Sequence, residues 1–263
     1  MSTWVINGLI AIIAVLGCTA IFFFVFTRGA LVLRALTPGG RSAKAHVYPV
    51  YSDMRLIKAV DFQPIISAIL LFQYHRLVSK IVSEIRQMDL RGRKLLITSC
   101  AFGNVMPRVV KAAVNAGVDK VLVADLIPNE LIHAKAKLTE YAGKVDYIEE
   151  DATAMKQTGD SVSANVIFFL LHELPHHLKG QALDEAGRTL SQGGKLFLAE
   201  FHRPNLKVLR ALSWAYFKVF EPLGLALWDT HDPIAYLEAN GNWKCERTTY
   251  FFGNFQIIVA TKQ

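Results

Sequence analysis

Cysteine and charge are both scarce in this chain, and each shortage removes a class of function. Three cysteines among 263 residues, Cys18, Cys100 and Cys245, are odd in number, far apart and without a Cys-x-x-Cys pair. That excludes a disulfide framework and implies a reducing compartment. Charged residues make up 19% against 52% hydrophobic, and the mean hydropathy is +0.28, which excludes a disordered chain. The formal net charge is +7, yet Lys and Arg form no block and accompany no recognition motif, so nucleic acid is not the expected partner.

The apolar surplus is concentrated at the start. Trp4 to Phe26 holds no charged residue across 23 positions, and at about 1.5 Å per residue this covers the roughly 30 Å hydrocarbon layer of a bilayer. A cleaved signal peptide would show a basic start, a shorter apolar run and a small-x-small site. A buried core helix is usually shorter. The reading is one transmembrane helix. Arg28, Arg34, Arg41 and Lys44 follow it, and basic flanks stay in the cytoplasm. The expectation is a single-pass inner-membrane protein with a cytoplasmic catalytic domain and the lipid bilayer as partner. Its parts are an anchor over 1–27, a juxtamembrane linker and helical cap over 28–89, and a catalytic domain over 90–263.

After a Pro-Gly-Gly break at Pro38–Gly40, the stretch Pro64 to Val82 spaces Ile66, Ile69, Leu70, Leu77 and Ile81 as on a helix, with Arg76 and Lys80 able to snorkel. It reads as one helix packed on the main domain or lying at the lipid interface. From Arg91 short apolar runs alternate with longer amphipathic ones, the pattern of an α/β fold. Strands are expected at Lys94–Thr98, Lys120–Ala124, Val145–Ile148, Asn165–Leu171 and Gly194–Glu200. Helices are expected at Met106–Ala116, Asn129–Tyr141 and Leu178–Leu190, and a hairpin at Arg247–Phe252 and Phe255–Thr261. The whole predicts a doubly wound, seven-stranded, mostly parallel sheet. Between strands five and six, Asn205–Trp228 interleaves Trp214, Tyr216, Phe217, Phe220 and Trp228 with Lys207, Arg210 and Lys218. This is either a core helix or an interfacial lid.

In such a sheet ligands bind beyond the carboxyl ends of the strands, beside strand one. There the sequence runs Thr98-Ser99-Cys100-Ala101-Phe102-Gly103-Asn104. Strand two ends 22 residues after Gly103 at Asp125, followed by Leu126, and strand three ends at Glu150-Asp151-Ala152. A small-residue turn, an acid spaced to take ribose hydroxyls, and an acid beside a small residue to border an adenine together point to a nucleoside-containing cofactor. The expected contacts are Thr98, Ser99, Cys100, Ala101, Gly103, Asp125, Leu126, Asp151 and Ala152. His172-Glu173-Leu174-Pro175-His176 matches the zinc-protease pattern, but a proline inside the helix would cost about 3 kcal/mol or more. The segment reads instead as the loop after strand four. His172 and His202 end neighbouring strands and are expected to handle protons in one pocket, with Glu173 beside them. Glu173, Glu200 and Asp125 are the carboxylates best placed to help a divalent metal, with an ion pair from Glu200 to Arg203 as the alternative.

From residue 90 to 263 the chain resembles class I S-adenosylmethionine-dependent methyltransferases. Aligned on Gly103, the first motif reads Ile97, Ser99, Ala101, Gly103 where that family has an acid and three alternate glycines. The segments Phe168–Pro175, Phe201-His202-Arg203-Pro204, Glu221-Pro222 with Leu227-Trp228, and Phe251-Phe252-Gly253 are similar to the rhodoquinone-biosynthesis RquA family, related to quinone C-methyltransferases. That resemblance implies replacement of a methoxy group of ubiquinone by an amino group, with S-adenosylmethionine as donor and manganese assisting. Tyr48, Tyr51 and Tyr74 are the nearest counterparts of a tyrosine-rich stretch of that family. Tyr74, Arg203, Tyr216 and Trp228 are the expected substrate contacts. Methyl transfer to a quinone or another membrane lipid is the alternative activity. A non-catalytic, membrane-tethered assembly subunit and a zinc protease complete the alternatives.

Overall fold

The structure, a computed structural model, describes residues 3–22 and 54–263. The chain divides into two compact units, Met1–Val60 and Asp61–Gln263. The first contains α1 (Thr3–Phe22) and α2 (Met54–Val60). Among the described residues no helix is long and apolar enough to cross a membrane. The expected span Trp4–Phe26 runs past Phe22 into residues outside the described ones, as do Arg28, Arg34, Pro38–Gly40, Arg41, Lys44, Tyr48 and Tyr51. Within α1, twenty residues carry no charge, and Trp4, Ile6, Ile10, Ile13 and Leu16 are exposed.

The second unit opens with α3 (Gln63–Ile69) and α4 (Tyr74–Arg86), where the sequence suggests one continuous helix. The break lies at Leu71 and Phe72, both in the left-handed region at φ 48° and 59°. There the Phe72 N–H reaches back to Ser67 O at 2.7 Å, a helix-ending bond that local periodicity does not reveal. In α4, Tyr74, Leu77, Val78, Ile81, Val82 and Ile85 are buried. The spacing puts them on one face, each contributing about 1.5–3 kcal/mol of burial at most.

The sheet comprises β1 (Lys94–Thr98), β2 (Lys120–Asp125), β3 (Val145–Glu149), β4 (Val162–Phe168), β5 (Leu190–Phe201), β6 (Trp243–Tyr250) and β7 (Phe255–Lys262). Its order is β3-β2-β1-β4-β5-β7-β6. The pairs among β1 to β5 are parallel. β7 runs antiparallel to both β5 and β6. Crossovers are made by α5 (Val105–Asn115), α6 (Pro128–Lys137) and α7 (His176–Thr189); α8 (Lys207–Phe220), a 3-10 turn (Pro222–Trp228) and α9 (Pro233–Asn240) lie between β5 and β6.

The order reverses at β1, so the carboxyl ends of β1 and β4 open the crevice where such sheets bind ligands. Two boundaries differ from the sequence expectation for a physical reason. Strand four ends at Phe168, because Phe169 sits at φ 58° and Leu171–Glu173 forms a 3-10 turn. The apolar run therefore continues beyond the strand into the site wall. Strand five begins at Leu190, with an irregular register against β4 between Val162 and Ala164.

Candidate active site

The loop after β1 is fixed from three sides. Gly103 has φ 78°, and a Cβ there would lie 2.5 Å from the Tyr74 hydroxyl oxygen. Only glycine fits at such a point. The Tyr74 hydroxyl donates to Phe102 O at 3.1 Å, and the side chain is fully buried. Tyr74, expected to touch substrate, is instead a wedge beneath the loop; burial pushes its hydroxyl well above the ordinary tyrosine value.

On a second side Asp61 accepts from the Gly103 N–H at 2.6 Å and Gln63 from the Asn104 N–H at 3.1 Å. Both bonds fix the backbone immediately before α5. On the third, Asp125 Oδ2 accepts from Cys100 N at 2.6 Å and Ser99 Oγ at 3.4 Å, while Oδ1 accepts from Ile127 N at 2.8 Å. Burial raises the Asp125 carboxyl despite these bonds, and burial followed by the charge of Asp125 raises the Cys100 thiol. Thr98 is turned inward, its hydroxyl donating to Asn165 Oδ1 at 2.9 Å. Ser99 stands at φ 72°, Ala101 is buried, and Leu126 is exposed.

At the end of β3, Asp151 Oδ1 closes a turn by accepting from Thr153 N and Oγ1 at 2.8 and 2.7 Å. Ala152 packs against the core. Beside them Glu150 is buried, with Oε1 accepting from Gln157 at 3.2 Å and Oε2 without a partner. Of these groups, the buried Oε2 of Glu150 is left open to a ligand donor at the end of β3, whereas both oxygens of Asp125 are engaged by the protein.

The sequence reading missed one face of α6. Glu130, His133 and Lys137 recur at i, i+3 and i+7, spacing that places them on one side of a helix. His133 Nε2 lies 3.0 Å from Asp61, and Lys137 Nζ donates to Asp61 at 2.7 Å and to Gly103 O at 2.5 Å. Glu130 is 3% exposed, its Oε1 has no hydrogen-bond partner, and burial followed by the charge of Asp125 pushes its carboxyl up to about 8.

Beyond β4 and β5, His172 Nδ1 meets Glu200 Oε1 at 3.0 Å, with the carboxylate fully buried and the imidazole 8% exposed. Glu200 also accepts from the backbone N–H groups of His172 and Phe201. Burial alone would lower the imidazole, but the charge and hydrogen bond of Glu200, helped by Glu221 and Glu173, raise it to about 9. The imidazolium is therefore the resting form near neutrality. Its Nε2 stands 3.8 Å from Glu173. Below, Lys179 is 2% exposed and donates to Leu171 O and Leu174 O, and desolvation lowers its amine to about 8.

The walls are aromatic. Phe201 lies 4.9 Å from the ring of His172, 5.0 Å from Phe169 and 4.9 Å from Phe217. Trp228 stands edge-on to Phe217 at 5.6 Å, with a buried Nε1 that has no partner. Tyr216 packs against Phe217 from a half-buried position.

The other expected groups stand elsewhere. His202 Nδ1 lies 2.8 Å from Gly253 O. Its pKa is lowered by burial, and its charged neighbours are Arg247 and Asp232 rather than the groups around His172. Arg203 pairs with Asp229 at 2.7 Å, so Glu200 is bound to His172 and not to Arg203. The zinc-protease arrangement is overturned. His172 lies in a 3-10 turn, Pro175 precedes α7 at φ −51° and ψ 151°, and His176 stacks on His231 at 5.1 Å. Two histidines four apart thus do not share a helix. Among the described residues no group of three or more His, Cys, Asp or Glu side chains is arranged to hold a metal, so the expected manganese has no ligand set there.

The model of the ubiE/COQ5 methyltransferase family matches residues 53–244. The ubiquinone/menaquinone biosynthesis C-methyltransferase UbiE of Roseobacter denitrificans is 28% identical over 149 residues, 56% of this chain and 58% of that protein. UbiE of Salmonella arizonae is 26% identical over 169 residues, 63% and 65% of the two chains. The chain thus spans less than two thirds of either relative. Similar solved folds include an O-methyltransferase family protein from Burkholderia thailandensis, with TM-score 0.57 and 14% identity over 81% of this chain and 61% of that one. Another is an S-adenosylmethionine-dependent methyltransferase from Aquifex aeolicus, with TM-score 0.50 and 16% identity over 80% and 99%. At these identities the likeness is one of fold.

Proposed function

The chain belongs to the ubiE/COQ5 methyltransferase family, and from that membership we propose that it uses S-adenosylmethionine to transfer a methyl group to the ring of an isoprenoid quinone. One observation supports the reading: an imidazolium locked by a buried carboxylate, His172 on Glu200, set in an aromatic wall beyond the carboxyl ends of β4 and β5. When bound, the cofactor supplies an electrophilic methyl group. His172 donates from Nε2 to a ring oxygen and stabilises the charge that makes the adjacent ring carbon nucleophilic. Glu173, beside that nitrogen, takes the ring proton. Phe169, half-buried and backed by the buried Phe201 and Phe217, flanks the ring and excludes water.

Amino transfer of the RquA kind is the second reading. It is favoured by Ile97, which stands where the methyltransferase motif has its acid, and by the Phe168–Pro175 and Phe201–Pro204 segments.

The proposal includes an inner-membrane location with a cytoplasmic catalytic unit, so that the substrate enters from lipid. Supporting it are the uncharged α1 and the exposed Val208, Leu212 and Trp214 of α8, where Lys218 Nζ lies 5.6 Å from the Trp214 ring centre. Such a face suits the headgroup boundary. Mass spectrometry of membrane quinones from a heterologous host tests the whole. A methylated quinone supports the first reading and an aminoquinone the second. An unchanged profile in a host that makes the protein overturns both.

A further inference from the structure

The structure assigns Glu130 as the acid that receives the cationic amino-acid end of S-adenosylmethionine, an inference that rests on the cofactor proposed above. Ile97 brings no charge to the end of β1, so any carboxylate for that cation comes from another element. Glu130 is nine-tenths buried and more, and its Oε1 has no hydrogen-bond partner. Buried acceptors are rarely left so unless a ligand group completes them.

The groups that face it come from four segments. Asp61 precedes α3, Asp125 ends β2, Glu173 follows β4, and Lys137 is on its own helix; Cys100, after β1, also lies within its field. The charges of three carboxylates thus act on it against that of one lysine. Lys137 is already committed to Asp61 and Gly103 O, and His133 is also against Asp61. The local field lacks positive charge. An organic cation is a complement that such a field favours. The cofactor offers an ammonium together with its sulfonium. With no cation beside it Glu130 rests largely protonated, its carboxyl raised to about 8. A cation arriving beside Oε1 favours the carboxylate, and the carboxyl proton passes to solvent as the ion pair forms.

Titration calorimetry on the full chain in detergent tests this, with S-adenosylhomocysteine and 5′-methylthioadenosine as probes. The first keeps the amino-acid end and the second lacks it. At pH 7 the wild type is expected to release up to about nine tenths of a proton on binding S-adenosylhomocysteine, read by comparing phosphate with Tris buffer, and almost none on binding methylthioadenosine. Glu130→Gln should abolish that release and weaken S-adenosylhomocysteine about tenfold or more, while methylthioadenosine affinity stays as in the wild type and reports an intact fold. Absence of proton release in the wild type, or equal weakening of both probes in the variant, overturns the assignment. A wild type that binds neither probe refutes the cofactor itself, a result distinguishable from the other two.

Discussion

Replacing Glu200 by Gln removes the charge that keeps His172 protonated while preserving shape. The carboxylate is fully buried and bonded to the imidazole, to two backbone N–H groups and to nothing in solvent. In the folded chain His172 is raised from 6.5 to about 9. That interval, at 1.36 kcal/mol per pH unit, corresponds to about 3 kcal/mol of stability. Because the folded value lies above the unfolded one, this contribution is complete below pH 6.5 and is lost as pH rises through about 9. Breaking a buried ion pair costs about 3–5 kcal/mol when the remaining ion stays charged. Here the imidazole escapes by losing its proton, so the lower figure applies. Glu200→Gln should therefore lower stability by about 3 kcal/mol at pH 6.5, a fall in Tm of roughly 6–12 °C for a unit of this size, and by much less above pH 9. Glu130 and Lys179 also titrate near that range, so the quantity to follow is the difference between wild type and variant, by thermal denaturation at pH 6.5, 8 and 9.5. A difference that stays constant across the three pH values would refute the argument.

Gly103→Ala places a methyl against the Tyr74 hydroxyl at a backbone angle that L residues rarely adopt. It should cost about 1–3 kcal/mol by thermal melt and weaken S-adenosylhomocysteine binding measured by calorimetry. Lys179→Met keeps the buried stem but leaves the carbonyls of Leu171 and Leu174 without their donor. A loss of about 2 kcal/mol or more in urea unfolding is expected, whereas an unchanged midpoint would show that the buried ammonium contributes nothing. Leu212→Glu on the exposed face of α8 should leave the melt within about 0.5 kcal/mol and reduce co-flotation of residues 61–263 with anionic vesicles, provided that this piece folds alone by circular dichroism. Unaltered flotation would argue against lipid contact there.

Strand one was legible residue for residue, because Lys94–Thr98 is a short apolar run bounded by polar residues and buried along nearly its whole length. Strand four was read three residues late, since the apolar run continues through Phe169, which is part of the aromatic wall, and Leu171, which is buried in the core beyond the strand. Hydrophobicity alone does not distinguish those two fates. The position of Asp125 was evident from its spacing, but its partners were not. A carboxylate at a strand end can turn to a ligand or to the loop beside it, and here it holds Cys100, Ser99 and Ile127. His172 was picked out, while its pairing with Glu200 over 28 positions depended on β4 and β5 being neighbours. Glu130 was passed over although its spacing to His133 and Lys137 was visible. A sequence shows that three polar residues share a helix face without showing that the face turns inward.

The place of β7 sets an order on how the site is assembled during synthesis. It lies between β5 and β6 and pairs with both, yet it is the last of the strands to leave the ribosome. Until it does, β5 has an open edge, and β6 has been made without the neighbour that attaches it. Phe255 packs on Phe201, Gln256 donates to Phe201 O, and Asn254 O receives the His202 N–H. The strand that carries Glu200 is therefore held by β4 alone until β7 is added. The wall around His172 is thus complete only once β7 has paired with β5 and brought Phe255 against Phe201.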